Sequence, residues 1–225
     1  MRVPEPVAVL GLTKCYKIAM PAIGITGGIS TGKTTFCECL REIVPDAKFF
    51  NADKAARDLV DLDPQVKEEL LHEFGPEIYF PGGALDRERL RAIIFHAAAK
   101  KSALEKILHP RIRQQWSAEA KKHRNAPEFF FADIPLLYET GGEALCDRVV
   151  AVACSREIQV ARLLQRGRID RAIAGQMIDS QMPLTEKIKR ADHVIWNNGD
   201  RSVLAEQTRS LVNLWQKMMD AGCAS

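Results

Sequence analysis

Nothing in this 225-residue chain is long and apolar enough to cross a bilayer. The longest apolar run near its N-terminus, VAVLGL at 7–12, falls far short of the roughly 20 residues a spanning helix needs. No small-residue cleavage site follows a hydrophobic segment, so no secretory signal is read and a cytoplasmic location is expected. Charge of one sign is not in excess: 32 basic against 29 acidic residues leave +3, too balanced to announce nucleic acid or an anionic membrane as partner. Cysteine is scarce and unpatterned. Cys15, Cys37, Cys39, Cys146, Cys154 and Cys223 form no CxxC pair, which excludes a zinc ribbon or a disulfide framework and leaves buried, reduced thiols. There is no repeat and no Ser, Gly or Pro tract.

With 46% apolar and 27% charged residues, the composition is that of a globular protein. The length suits one domain, or a core domain carrying an insertion. Short apolar runs of strand character recur as AIGIT (22–26), AKFFN (47–51), EFFFAD (128–133), RVVAVAC (148–154) and HVIWN (193–197). Most are continuous rather than alternating, as in strands covered on both faces. Helical stripes fill the gaps: Val160, Leu163 and Leu164 follow a cap at Ser155, and Leu204, Leu211, Leu214, Trp215 and Met218 line the C-terminal segment. Strands alternating with helices predict an α/β fold with a parallel, doubly wound sheet.

One spacing breaks this rhythm. Between Asn51 and Glu128 lie three helix-like patterns: Val66, Leu70, Leu71, Phe74; then Leu90, Ile93, Ile94, Ala97; then Leu104, Ile107, Leu108, Ile112, Trp116. A crossover needs one helix, so a helical insertion is expected over 61–124. Residues 1–20 fit poorly with the rest and read as an N-terminal extension, disordered or preceding a true start at Met20.

The stretch GGISTGKT at 27–34 matches GxxxxGK[ST] and sits between a strand and a helix. Glycines let backbone N–H groups turn inward around an anion, and the opening helix adds its unpaired N–H groups and positive dipole end. Gly28, Ser30, Thr31, Gly32, Lys33, Thr34 and Thr35 are therefore candidate nucleotide contacts, with Lys33 on the outer phosphates and the Thr34 hydroxyl on Mg2+.

In open parallel sheets the ligand lies beyond the carboxyl ends of the strands. Asp133 closes FFFAD and is a candidate magnesium ligand, or else a helix cap. Asp53 is a candidate general base, or else the cap of the helix KAARDLV. Five arginines crowd 156–171; they form a solvated face or a closing lid, with Arg162 and Arg166 on one helix face. Asn197, Asn198 and Gly199 follow the fifth strand.

Taken together, GITGGISTGKTT, NADKAARD, FGPEI with GALDRERLRAIIF, ILHPRIR, DIPLLYE and SQMPLTEKIKRADHVIWNNG, in this order from Ala22 to the C-terminal helix, resemble the dephospho-coenzyme A kinase family. The resemblance implies a P-loop fold with a five-stranded parallel sheet: a core at 21–60, 125–155 and 183–225, a coenzyme A substrate-binding insertion at 61–124 and an arginine lid at 156–182. It implies ATP and Mg2+, transfer of the γ-phosphate to the ribose 3′-hydroxyl of dephospho-coenzyme A, Asp53 as base, Arg166 on the ATP phosphates, and Arg162 and Asn197 among the nucleotide contacts. The HPRIR and PLLYE segments border the acceptor in that family, although His109 is equally readable as a structural residue before Pro110. Three positions depart from the family pattern. Asn51 replaces an aspartate, Ser30 stands where a third glycine is usual, and Met177 stands where an arginine is frequent, a role open to Arg168 or Arg171. Another P-loop kinase of nucleosides or small metabolites would share the loop, Asp133 and the lid, whereas a non-catalytic nucleotide-binding module would have no need of Asp53 and Arg166. A GTPase is disfavoured because no NKxD motif is present.

Overall fold

The computed structural model describes residues 22–123, 126, 128–167 and 169–222; the expected extension at 1–20, and Arg168, lie outside the described residues. The chain runs β1 (Ala22–Gly27), α1 (Lys33–Ile43), β2 (Lys48–Asn51), α2 (Ala52–Leu62), α3 (Pro64–Phe74), α4 (Arg87–His96), α5 (Ala98–His123), β3 (Phe130–Asp133), β4 (Arg148–Ala153), α6 (Arg156–Arg166), α7 (Arg171–Asp179), α8 (Leu184–Arg190), β5 (His193–Trp196) and α9 (Arg201–Gly222). All strand pairings are parallel, in the order β2-β3-β1-β4-β5. From β1 the chain crosses to the edge at β2, returns inward to β3 beside β1, and then passes to β4 and β5 on the other side. The switch point of the sheet therefore lies at the C-terminal end of β1, where GGISTGKT begins.

Side-chain parity explains the continuous apolar runs. Ile23, Ile25, Phe129, Phe131, Val150 and Val152 point to one face and pack against Phe36 and Leu40 of α1 and Leu204, Leu211, Val212 and Trp215 of α9. Ala22, Phe130, Ala132 and Val149 point to the other and meet Trp116, Ala120, Leu137 and Tyr138. Each face is covered, so charge enters β1, β3 and β4 at their ends alone, at Arg148 and at Asp133.

The segment between β2 and β3 has a hydrophobic cluster of its own, built from Leu59, Val60, Val66, Leu70, Phe74, Ile78, Leu90 and Leu108. Local chemistry sets its helix starts: the Asp63 carboxylate accepts from Gln65 N (2.9 Å) and Val66 N (3.2 Å) ahead of Pro64, and Asp86 accepts from Arg89 N (3.0 Å). Asp86 belongs to the LDR stretch, whose aspartate is thus a helix cap. Ion pairs from Arg111 to Glu69 (2.6 Å) and Lys100 to Glu73 (2.9 Å) tie α5 to α3. Among the described residues no helix is long and apolar enough to cross a membrane.

The stripes expected on α6 and α9 are narrower than their sequence pattern. Leu204, Leu211 and Trp215 are buried, but Leu214 (44% exposed) and Met218 (46%) face outward, and so in part does Leu164 (37%). The buried face of α9 turns instead through Thr208, whose hydroxyl donates to Leu204 O (2.7 Å), and Val212. Accordingly, Leu211→Ala should cost about 2–4 kcal/mol and Leu214→Ser under about 0.5 kcal/mol in urea unfolding; equal costs would contradict this orientation.

Candidate active site

The loop from β1 into α1 is seated too closely for side chains at two points. A Cβ on Gly27 would stand 2.3 Å from the Val152 carbonyl oxygen of β4, and one on Gly32, at φ +93°, would stand 1.9 Å from Asn197 Nδ2. Ser30 takes φ +58°, a left-handed conformation that costs an L-residue about 1–2 kcal/mol. Its backbone thus has the shape that a glycine would adopt freely.

Groups outside the loop occupy its carbonyls. Gln159 Nε2 donates to Ile29 O (2.7 Å), Arg162 Nη1 to Ser30 O and Thr31 O (both 3.3 Å), and Asn197 Nδ2 to Thr31 O (2.9 Å). Arg162 Nη2 also donates to Asn197 O (3.0 Å), while the Ile29 amide donates to Gln181 Oε1 (2.9 Å). The amides of Gly32, Lys33 and Thr34 have no acceptor among the described residues, as expected for a first helical turn. A carbonyl-bound back and an amide-bearing front are what an anion cradle requires.

Opposite the loop, the β2–β3 register sets Asn51 beside Asp133. Asn51 Nδ2 donates to Asp133 Oδ2 (2.9 Å), while its Oδ1 accepts from Lys54 N (2.7 Å) and caps α2. The capping alternative for Asp53 is thereby corrected: Asn51 is the cap, and Asp53 sits in the first turn with its side chain uncommitted to that task. A capping role for Asp133 fails too, because β3 runs into a turn at 135–140 rather than a helix. Asp133 Oδ1 is buried without a hydrogen-bond partner among the described residues. Burial pushes the Asp133 carboxyl above its ordinary value; Lys33 pulls it down and Asp53 pushes it further up. Burial likewise holds the Lys33 ammonium below its ordinary value, against the pull of Asp133 and with help from Lys187. Lys33 Nζ donates to Gly28 O at 3.2 Å.

These groups converge. One cavity of about 860 Å³ is lined by Ser30, Gly32, Lys33, Thr34, Asp53, Asp133 and Arg166. Of the other sequence candidates, Gly28, Thr31 and Thr35 belong to the loop and first turn without lining it, and Arg162 and Asn197 brace the loop from behind. Met177 packs near Val160, Leu163 and Ala174, an apolar setting in which an arginine would be misplaced. Arg171 is exposed beside Arg156 and Glu157, away from the cavity. A second, largely apolar cavity of about 760 Å³ lies between Ile94, Leu104, Leu108, Ile112 and Trp116. The two share Asp53, Glu105, His109, Pro135, Leu136, Glu139 and Thr140. Sequence reasoning missed Gln159, Gln181, Arg57 and Glu139, although Gln181 and Glu139 lie inside the quoted SQMP and DIPLLYE stretches.

Comparison with known proteins bears on this geometry. A family model described as dephospho-CoA kinase matches residues 21–202. The dephospho-CoA kinase of Geobacillus kaustophilus is 36% identical over 197 residues, 87% of this chain and 97% of that protein. Among solved structures, TT1252 from Thermus thermophilus superposes with a TM-score of 0.70 at 31% identity, covering 87% of this chain and 97% of that one. Dephospho-CoA kinase from Campylobacter jejuni superposes with a TM-score of 0.66 at 26% identity, covering 89% and 98%. With the glycine loop, the buried aspartate and the paired cavities in place, the chain belongs to the dephospho-CoA kinase family of P-loop kinases.

Proposed function

We propose that this chain transfers the γ-phosphate of ATP to the ribose 3′-hydroxyl of dephospho-coenzyme A, giving coenzyme A and ADP. The observation that carries this reading is that Asp53 lines both cavities, one built around the phosphate loop and the other apolar. ATP fits the first. The second, walled by Leu104, Leu108, Ile112 and Trp116, suits the pantetheine arm of the acceptor, and the helices over 61–124 would then form the acceptor-binding part. Residues 21–60, 125–155 and 183–225 serve as the core and 156–182 as the lid. Four cysteines, Cys37, Cys39, Cys146 and Cys154, are free thiols, in keeping with a reducing cytoplasm.

At the neck between the cavities, Asp53 accepts the proton of the 3′-hydroxyl as its oxygen bonds to the γ-phosphorus and the bond to the β-phosphate oxygen breaks. Lys33, the amides of Gly32 to Thr34, and Arg166 stabilise charge on the transferred group. The residues present also fit Mg2+. Asp133 offers a buried, unpartnered Oδ1 and Thr34 an exposed hydroxyl in the same cavity. Among the described residues no group of three or more His, Cys, Asp or Glu is arranged for a metal, consistent with an ion that takes its remaining ligands from phosphates and water. When bound, the ion would neutralise charge on the β- and γ-phosphates.

ADP release measured with ATP and magnesium across dephospho-coenzyme A, AMP, uridine and shikimate should rise with dephospho-coenzyme A; activity restricted to AMP or uridine would overturn the substrate assignment. Asp53→Ala should lower turnover by roughly 100-fold to 10,000-fold with ATP affinity kept, and normal turnover would remove Asp53 from the base role. Asp133→Asn should lower turnover yet leave the ligand-free protein at least as stable. The sign follows from the raised carboxyl: folding favours its protonated form, so ionisation near neutrality costs stability that is recovered as pH falls toward the ordinary value of 3.8. Thermal melts across pH should therefore show the variant's advantage largest at pH 7 and closing below pH 4; an advantage that widens in acid would contradict the burial argument.

A further inference from the structure

Lys187 of α8 is fully buried, unlike its neighbours Lys189 and Arg190, which are exposed. A lysine so enclosed needs a specific anionic partner. Among the described residues its ammonium has two polar partners, both in the turn after β3: the Pro135 carbonyl oxygen at 2.7 Å and Glu139 Oε1 at 2.8 Å. The same Oε1 accepts from Met182 N at 3.2 Å, at the last residue of the segment read as the lid. Pro135 O also accepts from the Thr26 hydroxyl (3.0 Å) at the end of β1. Glu139 is thus held by one oxygen from two elements, while its other oxygen, Oε2, makes no hydrogen bond among the described residues. Its side chain is 22% exposed and lines both cavities, as Asp53 does.

A ribose brings two adjacent hydroxyls to the neck, and with Asp53 engaged by one of them, a second carboxylate on the shared wall is placed to accept from the other. The remaining polar side chains there are less suited. The Thr140 hydroxyl donates to Leu136 O (2.8 Å) and Leu137 O (3.3 Å), Glu105 stands 4.0 Å from Lys101, and His109 has no hydrogen bond among the described residues to fix its ring. We infer that Glu139, locked in place by the buried Lys187, accepts a hydrogen bond from the acceptor's 2′-hydroxyl and so selects a ribose over a deoxyribose next to the phosphorylated position. This rests on the acceptor assignment above. Glu139 is the contact and Lys187 the positioning residue: a fixed carboxylate discriminates where a mobile one would adapt.

The test compares kcat/KM for dephospho-coenzyme A and its 2′-deoxy analogue. The unmodified enzyme should prefer the ribose compound by about tenfold to hundredfold, the usual worth of a hydrogen bond to a charged group. A chain carrying Glu139→Leu together with Lys187→Met removes both charges at similar volume and should keep its melting temperature; its preference should fall below threefold. If that chain does not fold, the single variant Glu139→Gln decides by the same ratio, expected to drop at least threefold. A merely structural role would slow both compounds equally and leave the ratio unchanged, which overturns the inference, as does an unmodified enzyme without preference. An unmodified enzyme inactive on dephospho-coenzyme A itself would overturn the acceptor assignment and this inference with it.

Discussion

The site depends on where the carbonyls of one short loop point. Three successive carbonyls, from Ile29 to Thr31, are drawn backward by Gln159, Arg162 and Asn197, which come from α6 and the end of β5. A peptide unit whose oxygen is held on one side presents its N–H on the other, so the bonds to Thr31 O aim the Gly32 amide, and the first turn of α1 aims those of Lys33 and Thr34, before any ligand arrives. Such donors need no reorganisation as charge develops on a transferring phosphoryl group. The sheet order serves the same end, because it sets β4 next to β1 and β5 next to β4, on one side of the loop that their ends reach.

Electrostatic tension is concentrated in the same place. Lys33 and Asp133 are each disfavoured in charged form by burial and only partly relieved by one another. Cys37, one turn along α1, has its thiol pushed up to about 12 by burial and then by Asp133, so it stays protonated and chemically quiet. A ligand carrying phosphates and a cation would supply what both charges lack. Departures from ideal stability at a functional site are expected on these grounds.

Much of this was legible in the sequence because its signals are local. Continuous apolar runs marked the strands to within a residue or two, and GGISTGKT announced its own backbone. The surplus helices showed in the spacing of Val66, Leu70, Leu90 and Leu108, which now share one cluster. What escaped notice depends on register and burial between distant segments. That Asn51 both caps α2 and holds Asp133 follows from a strand pairing 82 residues apart. Lys187 looked like one cation among several in LTEKIKR, and only the turn after β3 makes it different. Leu214 and Met218 read as core because a simple stripe ignores Thr208, a polar residue that α9 buries by bonding it to its own backbone.

The shared wall of the two cavities has a consequence for inhibitor chemistry. Pro135, Leu136 and Glu139 of the turn after β3 border both spaces, as do Asp53 of α2 and Glu105 and His109 of α5, so the two cavities adjoin. A single compound carrying a polyphosphate at one end and an apolar arm at the other, joined by a short tether through the neck, would meet both without forcing the walls apart. Once either end is seated, the tether holds the other at high effective concentration, and each half strengthens the grip of its twin.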